Sequence, residues 1–208
     1  MAFTLEMARD AINRYNAILE EKRDYLTDLD TVIGDADHGI NMSRGLRRAA
    51  EKIAAKEFLD FGGFFREVAV TVMSAVGGSA GPLYGTFFMK MGQNLTSRRE
   101  ASIAELADAM AEGLSGIMAL GKSAPGDKTM IEALDPAIQA LKKFSEDGDS
   151  AAWNMAVKAA EAGMKDTIPM RSKRGRSSYL GERSMGCQDP GATSSYYMIA
   201  CMRDASLE

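Results

Sequence analysis

The sequence predicts an all-α protein of eight helices running up and down. Three observations carry that reading. Strand-like alternation is scarce. Apolar residues recur at helical spacing: Leu5, Ala8, Ile12, Tyr15, Leu19 and Leu26 form one stripe, Phe64, Val68, Val72 and Ala75 a second, and Trp153, Ala156, Val157, Ala160 and Met164 a third. Helix-start signals sit between such stripes: the run SIAE at 102–105 is a capping box, and Pro82 and Pro190 stand where a missing N–H costs nothing.

Taken in order, the helices are expected at 3–28, 38–57, 62–77, 81–93, 102–120, 128–145, 150–168 and 190–204. The segment 169–189 has no helical pattern, and a loop of that length inside a domain is usually functional. No internal repeat or low-complexity tract interrupts the chain, and 208 residues fit one domain, 1–208, able to bury its own core.

Composition excludes several classes. The chain is 46% hydrophobic and 26% charged, an ordinary globular balance. A net charge of −4 argues against a nucleic-acid partner; the nearest basic patch is the short RSKRGR at 171–176. Cys187 and Cys201 show no CxxC spacing, so neither a disulfide framework nor a zinc site is expected, and the single histidine, His38, argues against a His-based metal centre. That cysteine usage suggests a reducing, cytoplasmic home, and the N-terminal MAFTLEMARDAINRY is charged and amphipathic, with no signal-peptide core. Val68 to Met89 holds 22 uncharged residues, about a membrane span in length. Its central GGSAGP would free backbone groups that lipid cannot satisfy, so two buried helices meeting at a turn are expected instead, and no membrane association.

Up-and-down order has a consequence for the loops. The first, third, fifth and seventh connections carry DLDTVIGDADHG, VGGSAGP, GKSAPGD and RSKRGRSSYLGERSMGCQDPGA, while the even ones look like plain solvated turns. All the odd connections then lie at one end of the bundle.

Their residue types point to a shared ligand. Asp28, Asp30, Asp35 and Asp37 crowd ten positions. Caps and a solvated acidic loop account for any two of them, and Asp37 could cap the helix opening at His38. Three carboxylates at 30, 35 and 37 around a glycine suit a hard divalent cation, which turns their repulsion into attraction. GGSAGPLYGT at 77–86 is a tight helix–helix turn or, with bare N–H groups leading into a helix, an anion cradle. It is not a P-loop. APGDKTM at 124–130, Arg176 and DPGAT at 189–193 read singly as a turn, a solvated arginine and a helix entry; on the same rim they complete a magnesium–nucleotide site.

The four motifs IGDADHGINM, VGGSAGPLYGTFF, GKSAPGDKTM and GRSSYLGERSMGCQDPGATSS together resemble the nucleotide-binding L subunit of dihydroxyacetone kinase over nearly the whole chain. The resemblance implies a closed barrel of eight antiparallel helices with ADP or ATP and two Mg²⁺ ions at one rim. It implies Asp30, Asp35 and Asp37 as magnesium ligands, with Asp28 outside the motif. Nucleotide contacts would come from His38, Gly39, Ile40, Asn41, Gly78, Ser79, Ala80, Gly121, Met130, Arg176, Asp189, Pro190 and Gly191, and Arg176 would also be catalytic. The chain departs from the pattern twice. Ala80 stands where relatives often carry a hydroxyl, which favours backbone contacts there, and Cys187 stands where many carry a histidine.

The resemblance further implies partners. Dihydroxyacetone would be held by a separate sugar-binding kinase subunit, and a phosphocarrier of the phosphoenolpyruvate:sugar phosphotransferase system would recharge bound ADP. Two other readings use the same loops: an ATP-dependent kinase subunit for another short ketose such as erythrulose, and a non-catalytic magnesium–nucleotide sensor.

Overall fold

Thr4 opens the helical part of the chain. Its backbone is extended and its hydroxyl accepts from the Met7 N–H at 3.2 Å, as an N-cap does. A computed structural model describes residues 2–208, and most of them are helical. Phe3–Thr4 (β1) pairs antiparallel with Glu100–Ala101 (β2), Phe3 opposite Ala101. Helix is therefore absent from residues 3 and 4, where the stripe suggested it. Phe3 is buried and stacks on Phe61 with ring centroids 6.0 Å apart, a contact that an extended segment reaches and a helical turn would not.

The first helix is two helices, α1 (Leu5–Glu21) and α2 (Arg23–Ile33), bent at Lys22. The ladder runs up to the bend and resumes after it, with Lys22 N–H on the Ile18 carbonyl and Leu26 N–H on the Lys22 carbonyl. The cause is visible in the residues. Glu20 to Asp24 offers no apolar side chain to bury, and the stripe jumps from Leu19 to Leu26. After the bend α2 turns Leu26, Asp30 and Ile33 inward. It also runs past residue 28, so Asp30 is a helical residue rather than a loop one.

The remaining helices are α3 (His38–Ala54), α4 (Phe61–Ala75), α5 (Ala80–Asn94), α6 (Ile103–Gly121), α7 (Ile131–Phe144), α8 (Asp149–Asp166) and α9 (Pro190–Leu207). The Ser102 capping box is formed, and Pro190 occupies the first turn of α9. Two boundaries moved for physical reasons. α7 begins three residues later than expected because Lys128 has φ 61, a left-handed conformation that no helix interior accepts. Within 169–189, Arg176–Ser184 forms a 3-10 helix broken at Gly181. Among the described residues the count is thus nine α-helices and one 3-10 helix, where eight helices were expected.

Each helix packs on the next: α1 on α3, α3 on α4, and so on to α8 on α9, with α9 returning to α1 and α2 wedged against α3 and α9. Among the described residues no helix is long and apolar enough to cross a membrane. The uncharged run 68–89 folds as α4 and α5 meeting at the 76–79 turn. Phe3, Phe61, Phe65 and Phe88 stack in series at the start of α4. That helix spans roughly 22 Å, so its glycine-rich exit lies at the far end of the bundle from the stack.

Close approach sets one seam. A Cβ on Gly163 of α8 would come 1.8 Å from the Glu132 carbonyl oxygen of α7 and 3.1 Å from Pro136. Backbone cannot give way as a flexible side chain can. Gly163→Ala should therefore lower stability by ~3 kcal/mol, read as a fall in urea midpoint at unchanged m-value.

Candidate functional site

The odd connections do converge. A cleft of about 260 Å³ is lined by Asp30, Ile33 to Asp35, Asp37, His38 and Asn41, by Gly77 to Ala80, by Gly121, Ser123 and Lys128 to Met130, by Arg174 to Ser177, and by Asp189 to Gly191. Leu83, Tyr84 and Ile117 supply its inner wall. The bend at Lys22 leaves the order of the loops untouched, because the chain passes through it without a connecting segment.

Asp30 organises the first wall. Its Oδ2 accepts from the N–H groups of Asp37 at 2.9 Å and His38 at 3.2 Å. The start of α3 is thus held by a carboxylate seven residues upstream. Asp37 is the N-cap residue by position yet makes no side-chain capping bond, so the capping explanation of that aspartate does not hold. Gly34 is required because a Cβ there would lie 1.9 Å from Asp30 Oδ1. Ala36 takes a left-handed φ of 62°, which reverses the chain between the two remaining aspartates. One carboxylate oxygen each from Asp30, Asp35 and Asp37 all fall within 4.8 Å of one another, a spacing that fits a divalent cation held by oxygen ligands. Asp28 is exposed and outside this group.

The second wall is the turn into α5. Gly78 has φ +65°, and a Cβ on Gly77 would sit 2.9 Å from the Asn41 amide. Ser79 makes no side-chain capping bond, so the first-turn N–H groups of α5 have no cap and open on the cleft at Ser79 and Ala80. That is the chemistry of an anion cradle built from backbone.

The long 169–189 loop brings Arg176 to the cleft, its Nη2 3.0 Å from Asp35 Oδ2. Met130, Gly121, Asp189, Pro190 and Gly191 also line the cleft. Gly39 and Ile40 do not. Gly39 is buried against α2, where a Cβ would meet the Arg23 carbonyl at 2.0 Å, and Ile40 is exposed on the first turn of α3.

The family model described as "DAK2 domain" matches residues 32–204. The chain belongs to the DAK2 domain family. It is 41% identical to the ADP-binding subunit DhaL of the PEP-dependent dihydroxyacetone kinase of Escherichia coli (strain K12), over 95% of either chain. It is 35% identical to the ADP-binding subunit DhaL of the PTS-dependent dihydroxyacetone kinase of Lactococcus lactis subsp. lactis (strain IL1403), over 94% of this chain and 95% of that one. The crystal structure of the dihydroxyacetone kinase from C. freundii in complex with AMP-PNP and Mg²⁺ shares the fold, with a TM-score of 0.76 at 24% identity. The match covers 94% of this chain but only 33% of the C. freundii chain.

Several features of this DAK2 domain were not foreseen. Tyr84 is buried, and its hydroxyl lies 2.7 Å from Ser194 Oγ and 2.8 Å from Ser195 Oγ. Ser194 Oγ in turn lies 2.9 Å from His38 Nε2. A polar chain thus runs from the cleft into the bundle. Its serines stood in plain view after DPGAT, but nothing in a helical pattern tells an inward serine from an outward one. Burial lowers the His38 pKa to about 4, against the opposing pull of Asp30, so the ring is neutral at pH 7. Burial drives Asp189 the other way, up to about 7, although the Ala192 N–H and Lys128 favour its charged form.

Two neighbouring groups therefore titrate with opposite effects on stability. His38 binds its proton more tightly unfolded, near pH 6.5, than folded, so its contribution is present above 6.5 and is lost as pH falls toward 4. Asp189 binds its proton more tightly folded, so its contribution fades as pH rises from 3.8 to about 7. The two slopes oppose each other in the parent chain. His38→Gln removes one of them. In EDTA, the stability advantage of the parent over this variant should shrink by roughly 2 kcal/mol between pH 7 and pH 4.5, measured by urea unfolding at each pH.

Proposed function

We propose that this chain is the ADP-binding subunit of a phosphoenolpyruvate-dependent dihydroxyacetone kinase, a single L-type domain over 1–208. The observation that carries the reading is the meeting of three carboxylates, an uncapped helix N-terminus and Arg176 in one cleft. The names of the relatives, PEP-dependent and PTS-dependent ADP-binding subunits matched along 95% of their length, support it. The cyclic order of helix contacts supports a closed eight-stave barrel in which α1 and α2 together form one bent stave.

The residues divide the work by their chemistry. Asp30, Asp35 and Asp37 would hold two Mg²⁺ ions, which supply charge neutralisation on the phosphate oxygens. The backbone N–H groups at Gly78, Ser79 and Ala80 bind phosphate without a positive side chain, and Asn41 stands behind Gly77 to shape that turn. Leu83, Ile117 and Met130 form an apolar wall suited to a base. Arg176 is exposed beside Asp35, where it would stabilise the transferring phosphoryl group as charge builds. The neutral His38 orients through Ser194 and brings no charge to the phosphates.

The reaction moves a phosphoryl group from nucleotide to a hydroxyl of dihydroxyacetone. The sugar would be held on a partner subunit, a reading supported by the names of the relatives as ADP-binding subunits. A phosphocarrier subunit would then restore the bound nucleotide, and all three would work in the cytoplasm.

With magnesium present, ADP at about 100 times its dissociation constant should raise stability by about 2.7 kcal/mol, seen as a shift in melting temperature. Asp35→Asn and Asp37→Asn should abolish the magnesium-dependent part. Asp30→Asn should do the same while keeping an acceptor for the α3 N–H groups. No thermal response in the parent chain would sink the site. Arg176→Ala should bind ADP within a few-fold of the parent yet lose ~10³-fold in transfer rate when assayed with its sugar-binding partner.

Cofactor and substrate roles of the nucleotide differ in exit rate. A chase with labelled ADP in the complete system should find it retained over many turnovers. Exchange within one turnover, with ATP alone sustaining product, would make the nucleotide a substrate instead.

A further inference from the structure

Lys128 is a lysine with almost no solvent: it is 1% exposed. Its ammonium donates to the Cys187 carbonyl at 2.7 Å, to the Met170 carbonyl at 3.2 Å and to the Ser184 carbonyl. Those three bonds use the whole donor capacity of an ammonium group. Among the described residues no carboxylate forms an ion pair with it, although the more distant Asp189 favours its charge, so this is a carbonyl cage rather than a salt bridge. Burying a cation this way is costly, and Lys128 also holds a left-handed φ of 61° that disfavours any residue but glycine. A methionine would fill the space more cheaply. The cage must therefore secure something that packing alone would not.

What it secures is the long loop. The three acceptors lie at its entrance, at its return and just before α9, and Arg176 rides on the arc between the first two. The adjacent residue works on the same loop. Asp127 accepts from Arg174 Nε at 2.9 Å, and its carbonyl accepts from the Lys173 N–H at 3.1 Å. Burial opposes the charge of Asp127, but Arg174, the Ala124 N–H and Lys173 together hold its carboxyl below the usual range. With every ammonium proton committed to the loop, Lys128 has none left for a ligand in the cleft.

We propose that Lys128 is a positioning residue: its buried charge pins the 169–189 loop over the cleft, sets the reach of Arg176 and slows nucleotide escape. The proposal rests on the kinase-subunit reading for its ligand but not for its structural arm.

The test uses the full chain with Mg²⁺ and a fluorescent ADP analogue. Lys128→Met keeps the bulk and removes the charge. It should release the analogue at least ~10-fold faster, one lost charged hydrogen-bond set being worth that much, and trypsin should cut after Lys173, Arg174 or Arg176 faster by a similar factor. In Lys128→Ala, ethylammonium chloride should restore slow release and slow cleavage, and potassium chloride should not. Parental rates in Lys128→Met would overturn the proposal, as would acceleration that ethylammonium leaves unchanged. Should Lys128→Met fail to fold, the parent decides. Amine acetylation of Lys128 should then proceed with loop opening, faster than global unfolding and slowed by Mg–ADP; acetylation only at the global unfolding rate would overturn the proposal. A parent that binds no analogue would refute the kinase reading alone, because proteolysis and acetylation still judge the loop.

Discussion

Mutual repulsion among Asp30, Asp35 and Asp37 is the constraint around which this end of the molecule is built. Their oxygens come within 4.8 Å of one another, and nothing in an unassisted loop would keep them there. Three local devices do. Asp30 is anchored on the buried face of α2 and accepts two N–H groups from the start of α3. Gly34 leaves the space that Asp30 Oδ1 fills. Ala36 reverses the backbone at positive φ. Even the bend at Lys22 belongs to this set, because it turns the Leu26, Asp30 and Ile33 face inward. The repelling cluster is thus held by backbone geometry rather than by its own attractions, which leaves it able to take up positive charge.

Much of this was legible in the residues, and the failures are instructive. Helix cores were visible because apolar spacing reports burial directly, as in the Trp153 to Met164 stripe. Convergence of the loops followed from order alone and survived an extra helix, since a bend is not a reversal. The β1–β2 pair escaped notice because two residues are too few to show alternation. The late start of α7 was hidden because the reason lies in Lys128, whose surroundings come from residues more than forty positions away. Long-range cages leave no periodicity. The Tyr84–Ser194–His38 chain was unreadable for the same reason: each member is an ordinary helical residue until its neighbours are known.

Charge balance in the cleft is finer than a net count suggests. The acidic side has three clustered aspartates and Asp189, and the basic side has Arg174 and Arg176 from a loop read at first as a solvated patch. Arg174 is tied down by Asp127, whereas Arg176 reaches Asp35 from an exposed position. Two arginines two residues apart therefore have different freedoms. The first fixes the loop, and the second stands exposed in an ion pair with Asp35.

That division bears on how a nucleotide could leave. On the proposed reading, escape past the 169–189 loop would require either motion at the crest, which costs one exposed ion pair worth about 1 kcal/mol at most, or detachment of the base, which breaks three charged hydrogen bonds to backbone carbonyls together with the Asp127 contacts. Crest motion is cheap and, on the proposed reading, would serve phosphoryl transfer by letting Arg176 follow moving charge. Base detachment is expensive and would serve exchange. A chain that keeps its nucleotide through many turnovers needs these two motions to be energetically separate, and consecutive anchors at Asp127 and Lys128 separate them.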